Sequence, residues 1–124
     1  MPTVLDVGNC NADHMFLEAM LSSNFGATLI RAHRLEDARE LLGQNAVDLI
    51  LVNRLLDVDG SQGLEVLRAL KADPQTQAIP VMLITNYEEH QETAIEAGAI
   101  RGFGKSALNA EETRVVIEAA IGRL

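Results

Sequence analysis

Apolar positions follow two different rhythms along this chain. Short apolar runs occur at Thr3 to Val7, Ala27 to Arg31, Leu49 to Val52 and Val81 to Ile84. The last two are rich in branched side chains, bounded by polar residues, and too short for free-standing helices, so they read as strands buried on both faces of a parallel sheet. Asp6 is the one irregularity in the first run. Between the runs the spacing changes to that of helices. Ala12, Met15, Phe16, Ala19 and Met20 predict a first helix, with Asn11 or Asp13 as N-cap and a break at Asn24 to Gly26. Leu35, Ala38, Leu41 and Leu42 mark a second, ended by Gly43 to Asn45, and Gly63, Val66, Leu67 and Leu70 a third. Asp73-Pro74 ends that third helix, because proline disfavours helical geometry in the residue before it. Glu88 to Glu96 reads as a weakly amphipathic fourth helix closed by Gly98, and Ile100 to Phe103 as the least regular of five strands. Thr113, Val116, Ile117, Ala120, Ile121 and Leu124 form the clearest helical stripe. Five strands alternating with five helices predict an α/β sandwich of three layers, a parallel sheet covered on both faces with right-handed crossovers.

The 124 residues leave room for one domain, 1–124, with a hydrophobic fraction of 48% that is ordinary for a globular chain. Charge narrows the choice of partners. Eighteen acidic against ten basic residues give a net charge of -8, which repels phosphate backbones and anionic membranes and argues against binding either. The single cysteine, Cys10, cannot form an intramolecular disulfide, and no signal-peptide pattern or long uncharged apolar stretch is present. A soluble, reducing, cytoplasmic setting is expected.

A parallel sheet brings the carboxyl ends of its strands to one edge, where open α/β folds build their sites. Here that edge gathers Gly8-Asn9, Asn53, Thr85 and Lys105. The segment V-D-L-I-L-V-N-R-L-L-D-V-D-G-S-Q-G-L-E-V-L-R-A-L, then I-P-V-M-L-I-T, then A-I-E-A-G-A followed by Lys105, resembles the receiver domain of two-component response regulators over essentially the full length. The resemblance implies a flavodoxin-like fold with strand order 2-1-3-4-5. In receivers an acidic pair after strand one helps bind Mg²⁺, an aspartate after strand three accepts a phosphoryl group, and a hydroxyl and a lysine contact the phosphate. Carried over, the pair falls on Gly8 and Asn9, the acceptor on Asn53, the hydroxyl on Thr85 and the lysine on Lys105. Only the last two match. An amide oxygen is a poor nucleophile, so Asn53 cannot form an acyl phosphate, and no carboxylate at the mapped positions holds Mg²⁺. Weak or absent Mg²⁺ binding and no cofactor are expected, with the Lys105 ammonium held by the Asn53 side-chain oxygen.

The switch also departs from the family. Ser106 follows the lysine where receivers usually carry proline, so a trans peptide is expected. The ring of Phe103 stands one residue away from the family's switch position, which here is Gly102, and would point to the opposite face. The expected function is that of a pseudo-receiver in bacterial two-component signalling: a monomer or weak dimer, not an enzyme, binding a histidine kinase or an output protein. Its partner face, the one receivers commonly use, would be built from Tyr87, Glu88, Glu89, Glu92, Arg101 and the start of the last helix. Two rivals remain: a phosphoacceptor at another carboxylate such as Asp57 or Asp6, and a sensor that holds a small anion between Asn53, Thr85 and Lys105. Asp57 and Asp59 fit turn chemistry better than metal ligation. Asp6 could face the pocket near Lys105 or a neighbouring helix. His14, His33 and His90 lack metal-ligand spacing and suit surface or cap roles, and Cys10 has no cationic cluster beside it in sequence.

Overall fold

The computed structural model describes residues 1–122. Four parallel strands, β1 (Thr3–Val7), β2 (Thr28–Ala32), β3 (Leu49–Asn53) and β4 (Val81–Ile84), form one sheet in the order 2-1-3-4. They alternate with α1 (Asn11–Phe25), α2 (Leu35–Gln44), α3 (Gly63–Ala72), α4 (Glu88–Glu96) and α5 (Glu111–Ile121), and a single 3-10 turn spans Lys105–Ala107. The pleat sorts the strand residues into two cores. Leu5, Val7, Ile50, Val52, Val81 and Leu83 pack with Ala38, Val66, Leu67, Leu70 and Ala94 from α2, α3 and α4. Val4, Leu49, Leu51, Met82 and Ile84 face the other way and pack with Leu17, Met20, Leu21 and Phe25 of α1 and Ile117 of α5. With both faces covered, each of these side chains is withdrawn from water, worth about 1.5–3 kcal/mol apiece for the larger ones. Asp6 has the same parity as Val4, so the alternation turns its carboxylate toward α1.

The expected fifth strand is not one. Residues 100–103 run alongside β4, with Ile100 N–H donating to the Val81 carbonyl at 3.0 Å and Thr85 N–H to the Phe103 carbonyl at 3.1 Å. The contact between those two points is broken, because Gly102 N–H donates to the Gln91 side chain instead. The sheet therefore has four strands in the order 2-1-3-4 with an irregular edge segment, rather than five in the order 2-1-3-4-5.

Helix α1 also differs from its expectation in phase and in cap. Its buried face is Leu17, Met20, Leu21 and Phe25, whereas Met15 and Phe16 are 67% and 63% exposed and Ala12 and Ala19 face solvent with them. Two apolar stripes of helical period coexist in this segment, and periodicity alone does not say which one meets the sheet. The N-cap is Cys10, neither Asn11 nor Asp13. Gly26, at φ 61°, supplies the left-handed residue that closes the helix, its N–H reaching back to the Leu21 and Ser22 carbonyls. The stripe of α5 is as expected at Thr113, Val116, Ile117, Ala120 and Ile121; Leu124 lies outside the described residues.

Candidate functional site

Parallel register sets the edge. Val7 pairs with Val52 and Asn53 with Ile84, so the chain leaves β1, β3 and β4 at one end with Gly8, Asn53 and Thr85 side by side. The β3–α3 loop then folds back over β1. Asp57 N–H donates to the Gly8 carbonyl at 2.9 Å, and Leu56, 3% exposed, lies across Gly8.

Asn53 is spent on this loop. Its Nδ2 donates to the Leu55 carbonyl at 2.8 Å and reaches the Gly8 carbonyl at 3.5 Å. A neutral N–H donor thus stands between two carbonyl oxygens, where a cation would otherwise be the natural neutraliser of such an oxygen pair.

Lys105 is not held by Asn53. It sits in the 3-10 turn, and its Nζ donates to Asp13 Oδ2 at 2.6 Å. The expectation failed because Asp13, in the first turn of α1, offers a charged acceptor, and a charge-assisted bond outcompetes one to a neutral amide oxygen. Cys10 Sγ donates to the same carboxylate oxygen at 3.3 Å. The Lys105 bond holds the Asp13 carboxyl below the usual aspartate range, against the opposing pull of burial. A carboxylate whose pKa is depressed in the folded state stabilises the fold above its unfolded value of 3.8 and loses that contribution as pH falls through the lower folded value. Both partners are about one-third exposed, so the pair is worth no more than about 1 kcal/mol. In Lys105→Gln the Asp13 carboxyl is expected to titrate higher than in the parent protein, measured by carboxyl-carbon NMR between pH 2 and 6.

Asp6 is fully buried and does not approach Lys105 as a partner. Its Oδ1 accepts Asn9 Nδ2 at 2.6 Å and its Oδ2 lies 2.7 Å from His14 Nδ1, so it faces the neighbouring helix. His14 therefore has a buried carboxylate as partner, where a surface or cap role was expected, and Asn9 is turned inward rather than toward the edge. Asn9 Oδ1 is buried with no protein partner. Asp57 belongs to a different cluster, 3.6 Å from Arg31 and 3.7 Å from His33. Arg31 also donates to Asn11 and to the Asn9 carbonyl, tying β2 to the loop after β1. Asp59 accepts both the N–H and the hydroxyl of Ser61, which is turn chemistry.

The residues do not fit Mg²⁺. Gly8 has no side chain, Asn9 points into the core, Asn53 presents a donor, and the nearby acids Asp13 and Asp57 are paired with cations. Among the described residues no group of three His, Cys, Asp or Glu side chains is placed to share a metal.

At the other end of the edge, Thr85 is buried and its Oγ1 accepts Tyr87 N–H at 3.2 Å. Tyr87 is 56% exposed, with the Arg54 guanidinium 5.7 Å from its ring centre and His90 tilted against it. Arg101 pairs with Glu88 through its two terminal guanidinium nitrogens, one at 2.8 Å, which lowers the Glu88 carboxyl pKa. Glu89 and Glu92 are exposed on the same helix. Beside Arg101 a groove of about 450 Å³ runs along α5, floored by Pro80, Ile100, Val116 and Ala120. Asn86 Oδ1 accepts both the N–H and the hydroxyl of Ser106, anchoring the turn that contains the trans Lys105–Ser106 peptide. Phe103 is buried in the core shared with α1 and α5.

Sequence reasoning gave Asp13 and His14 only cap or surface roles and missed Gln91. Asp13 and His14 lay in the wrongly phased helix, and only Asp6, a charge inside a strand, signalled that a partner was needed. Gln91 shares the buried face of α4 with Ala94, a two-residue signal lost among glutamates.

No protein-family profile and no curated protein matches this chain in sequence. Solved structures match it in shape. A candidate response regulator from Chloroflexus aurantiacus superposes with a TM-score of 0.84 at 23% identity, over 99% of this chain and 100% of that one. The signal receiver domain of a DNA-binding response regulator from Colwellia psychrerythraea gives 0.81 at 22%, over 96% and 97%. The chemotaxis protein CheY4 of Vibrio cholerae gives 0.78 at 18%, over 97% and 98%. The chain has the flavodoxin-like fold of response-regulator receiver domains. No helix among the described residues is long and apolar enough to cross a membrane.

Proposed function

We propose that this chain is a receiver-fold module of two-component signalling that works by binding a protein partner, a histidine kinase or an output protein, without taking up a phosphoryl group. It catalyses no reaction of its own and acts in the cytoplasm. The observation that carries this reading is the Asn53 side chain, an amide whose N–H groups serve the Leu55 and Gly8 carbonyls at the position where a receiver needs an ionised carboxylate. Lys105, the residue that would follow a phosphoryl group, is committed to Asp13, and this supports a single conformation. The rivals find less support. Asp57 lies between Arg31 and His33, Asp6 is enclosed by Asn9 and His14, and an anion at the edge would have to take Lys105 from Asp13.

The partner face in this reading is α4 with residues 100–103 and the start of α5. It presents exposed Tyr87, acidic Glu89 and Glu92, and the Arg101–Glu88 pair, and Arg101 also borders the apolar groove along α5.

Incubation with acetyl phosphate and millimolar Mg²⁺ is the test. Intact mass is expected to stay unchanged, and Mg²⁺ alone to move the melting temperature by less than about 1 °C, since a ligand stabilises only in proportion to its occupancy of the native state. A stable gain of one phosphoryl mass overturns the proposal, and its loss in Asp57→Asn or Asp6→Asn would then locate the acceptor.

A further inference from the structure

In a parallel ladder the N–H groups of one strand meet carbonyls of its neighbour at every second residue. Ile100 N–H meets Val81, so two residues on Gly102 N–H would meet Leu83. It does not. Gly102 N–H donates to Gln91 Oε1 at 2.9 Å, and the Leu83 carbonyl accepts Gln91 Nε2 at 3.1 Å. The carboxamide of Gln91, a residue of α4 that is 4% exposed, is spliced into the place of one rung. Its second N–H donates to the Thr85 carbonyl at 3.2 Å. Both donors and the acceptor are thereby used in the dry interior, where leaving any of them unpaired would be costly. The fit also constrains Gly102, since a Cβ there would stand 2.5 Å from the Leu83 carbonyl oxygen.

We propose that Gln91 is a clasp that fixes the partner face in one arrangement, doing by a permanent side-chain bridge what a phosphoryl signal does in a switching receiver. This rests on the reading of α4 and residues 100–103 as that face. The clasp joins the parts that matter. Thr85, whose carbonyl Gln91 holds, also accepts the Tyr87 N–H at the start of α4, and Arg101 beside Gly102 is paired to Glu88 on α4. Freeing Gln91 would release Gly102 from α4 and let Arg101 and Glu88 shift relative to each other.

Amide hydrogen exchange followed by NMR on the intact chain tests the clasp without any partner. In the native protein the Gln91 carboxamide protons and the Gly102 amide are expected to exchange at least tenfold more slowly than exposed counterparts. In Gln91→Met, which keeps the volume and removes the hydrogen bonds, Gly102 protection is expected to fall about tenfold to a hundredfold, the loss of one buried bond. Ile50 and Leu51 amides in the central strand should keep theirs. A rapidly exchanging Gln91 carboxamide in the native protein overturns the clasp, as does unchanged Gly102 protection in Gln91→Met. Should Gln91→Met fail to fold, the native carboxamide rate decides alone. The partner-face reading fails separately: if Glu92→Lys and Tyr87→Ala leave binding to a cognate kinase or output protein unaltered, the face is misassigned while the exchange result stands.

Discussion

Gly8→Asp, the first step in rebuilding a receiver's metal site, is expected to lower stability by about 2–5 kcal/mol. The backbone at Gly8 has φ +83°, a conformation that costs an L side chain about 1–2 kcal/mol. The added Cβ would also stand 2.4 Å from Leu56 Cδ2 and 3.1 Å from Leu56 Cα. The first of these contacts is with a flexible tip and can yield; the second is with backbone held by the Asp57 N–H bond to Gly8 itself. Overpacking of this kind adds about 1–3 kcal/mol. Urea denaturation of Gly8→Ala and Gly8→Asp measures it, and Leu56→Ala in the same background should relieve the clash with the side-chain tip but neither the backbone contact nor the part due to φ. On the proposed reading, Asn53→Asp alone is expected to leave the chain unphosphorylated, because Gly8 and Asn9 supply no carboxylate for Mg²⁺. If Gly8→Asp folds as stably as the parent and its melting temperature rises with Mg²⁺, the edge has been misread.

Removing the Asp6 carboxylate is expected to cost about 3–5 kcal/mol in Asp6→Ala. It strands two groups at once: Asn9 Nδ2, in a fully buried side chain, and His14 Nδ1, in one that is mostly buried. It also leaves a void beneath α1. Asp6→Asn, which keeps the shape and one acceptor, should cost clearly less, and thermal melts of the two variants beside His14→Phe separate cavity from polar terms. The same contact bears on Asn9, one of the two positions where the receiver resemblance expects an acidic pair. Asn9→Asp would set a carboxylate 2.6 Å from the buried oxygen of Asp6, and two such groups cannot both ionise without water or metal between them. The Asn9 amide is the complement of Asp6, the one acid fully buried among the described residues.

Much of the architecture was written in one dimension. The apolar runs of β1, β3 and β4 and the stripes of α3 and α5 are long or regular enough that burial admits one assignment. The edge that gathers Gly8, Asn53 and Thr85 follows from parallel topology, because every strand must end on the same side, whereas Lys105 reaches it from a 3-10 turn and not from a strand. Residue types alone also put an amide at position 53 and no carboxylate at positions 8 and 9.

The tertiary structure decided what competition decides. Which of two apolar stripes of α1 is buried depends on where the β1 and β3 side chains stand, and that turned Met15 and Phe16 outward. Lys105 chose Asp13 over Asn53 because an anion 92 residues away in sequence came within 2.6 Å. Residues 100–103 have strand-like composition, yet a carboxamide from α4 takes the bond that would have made them a strand. Periodicity records which residues prefer to leave water. Which partner a polar group finds is set by distances between segments far apart in the chain, and those distances exist only once the chain has folded.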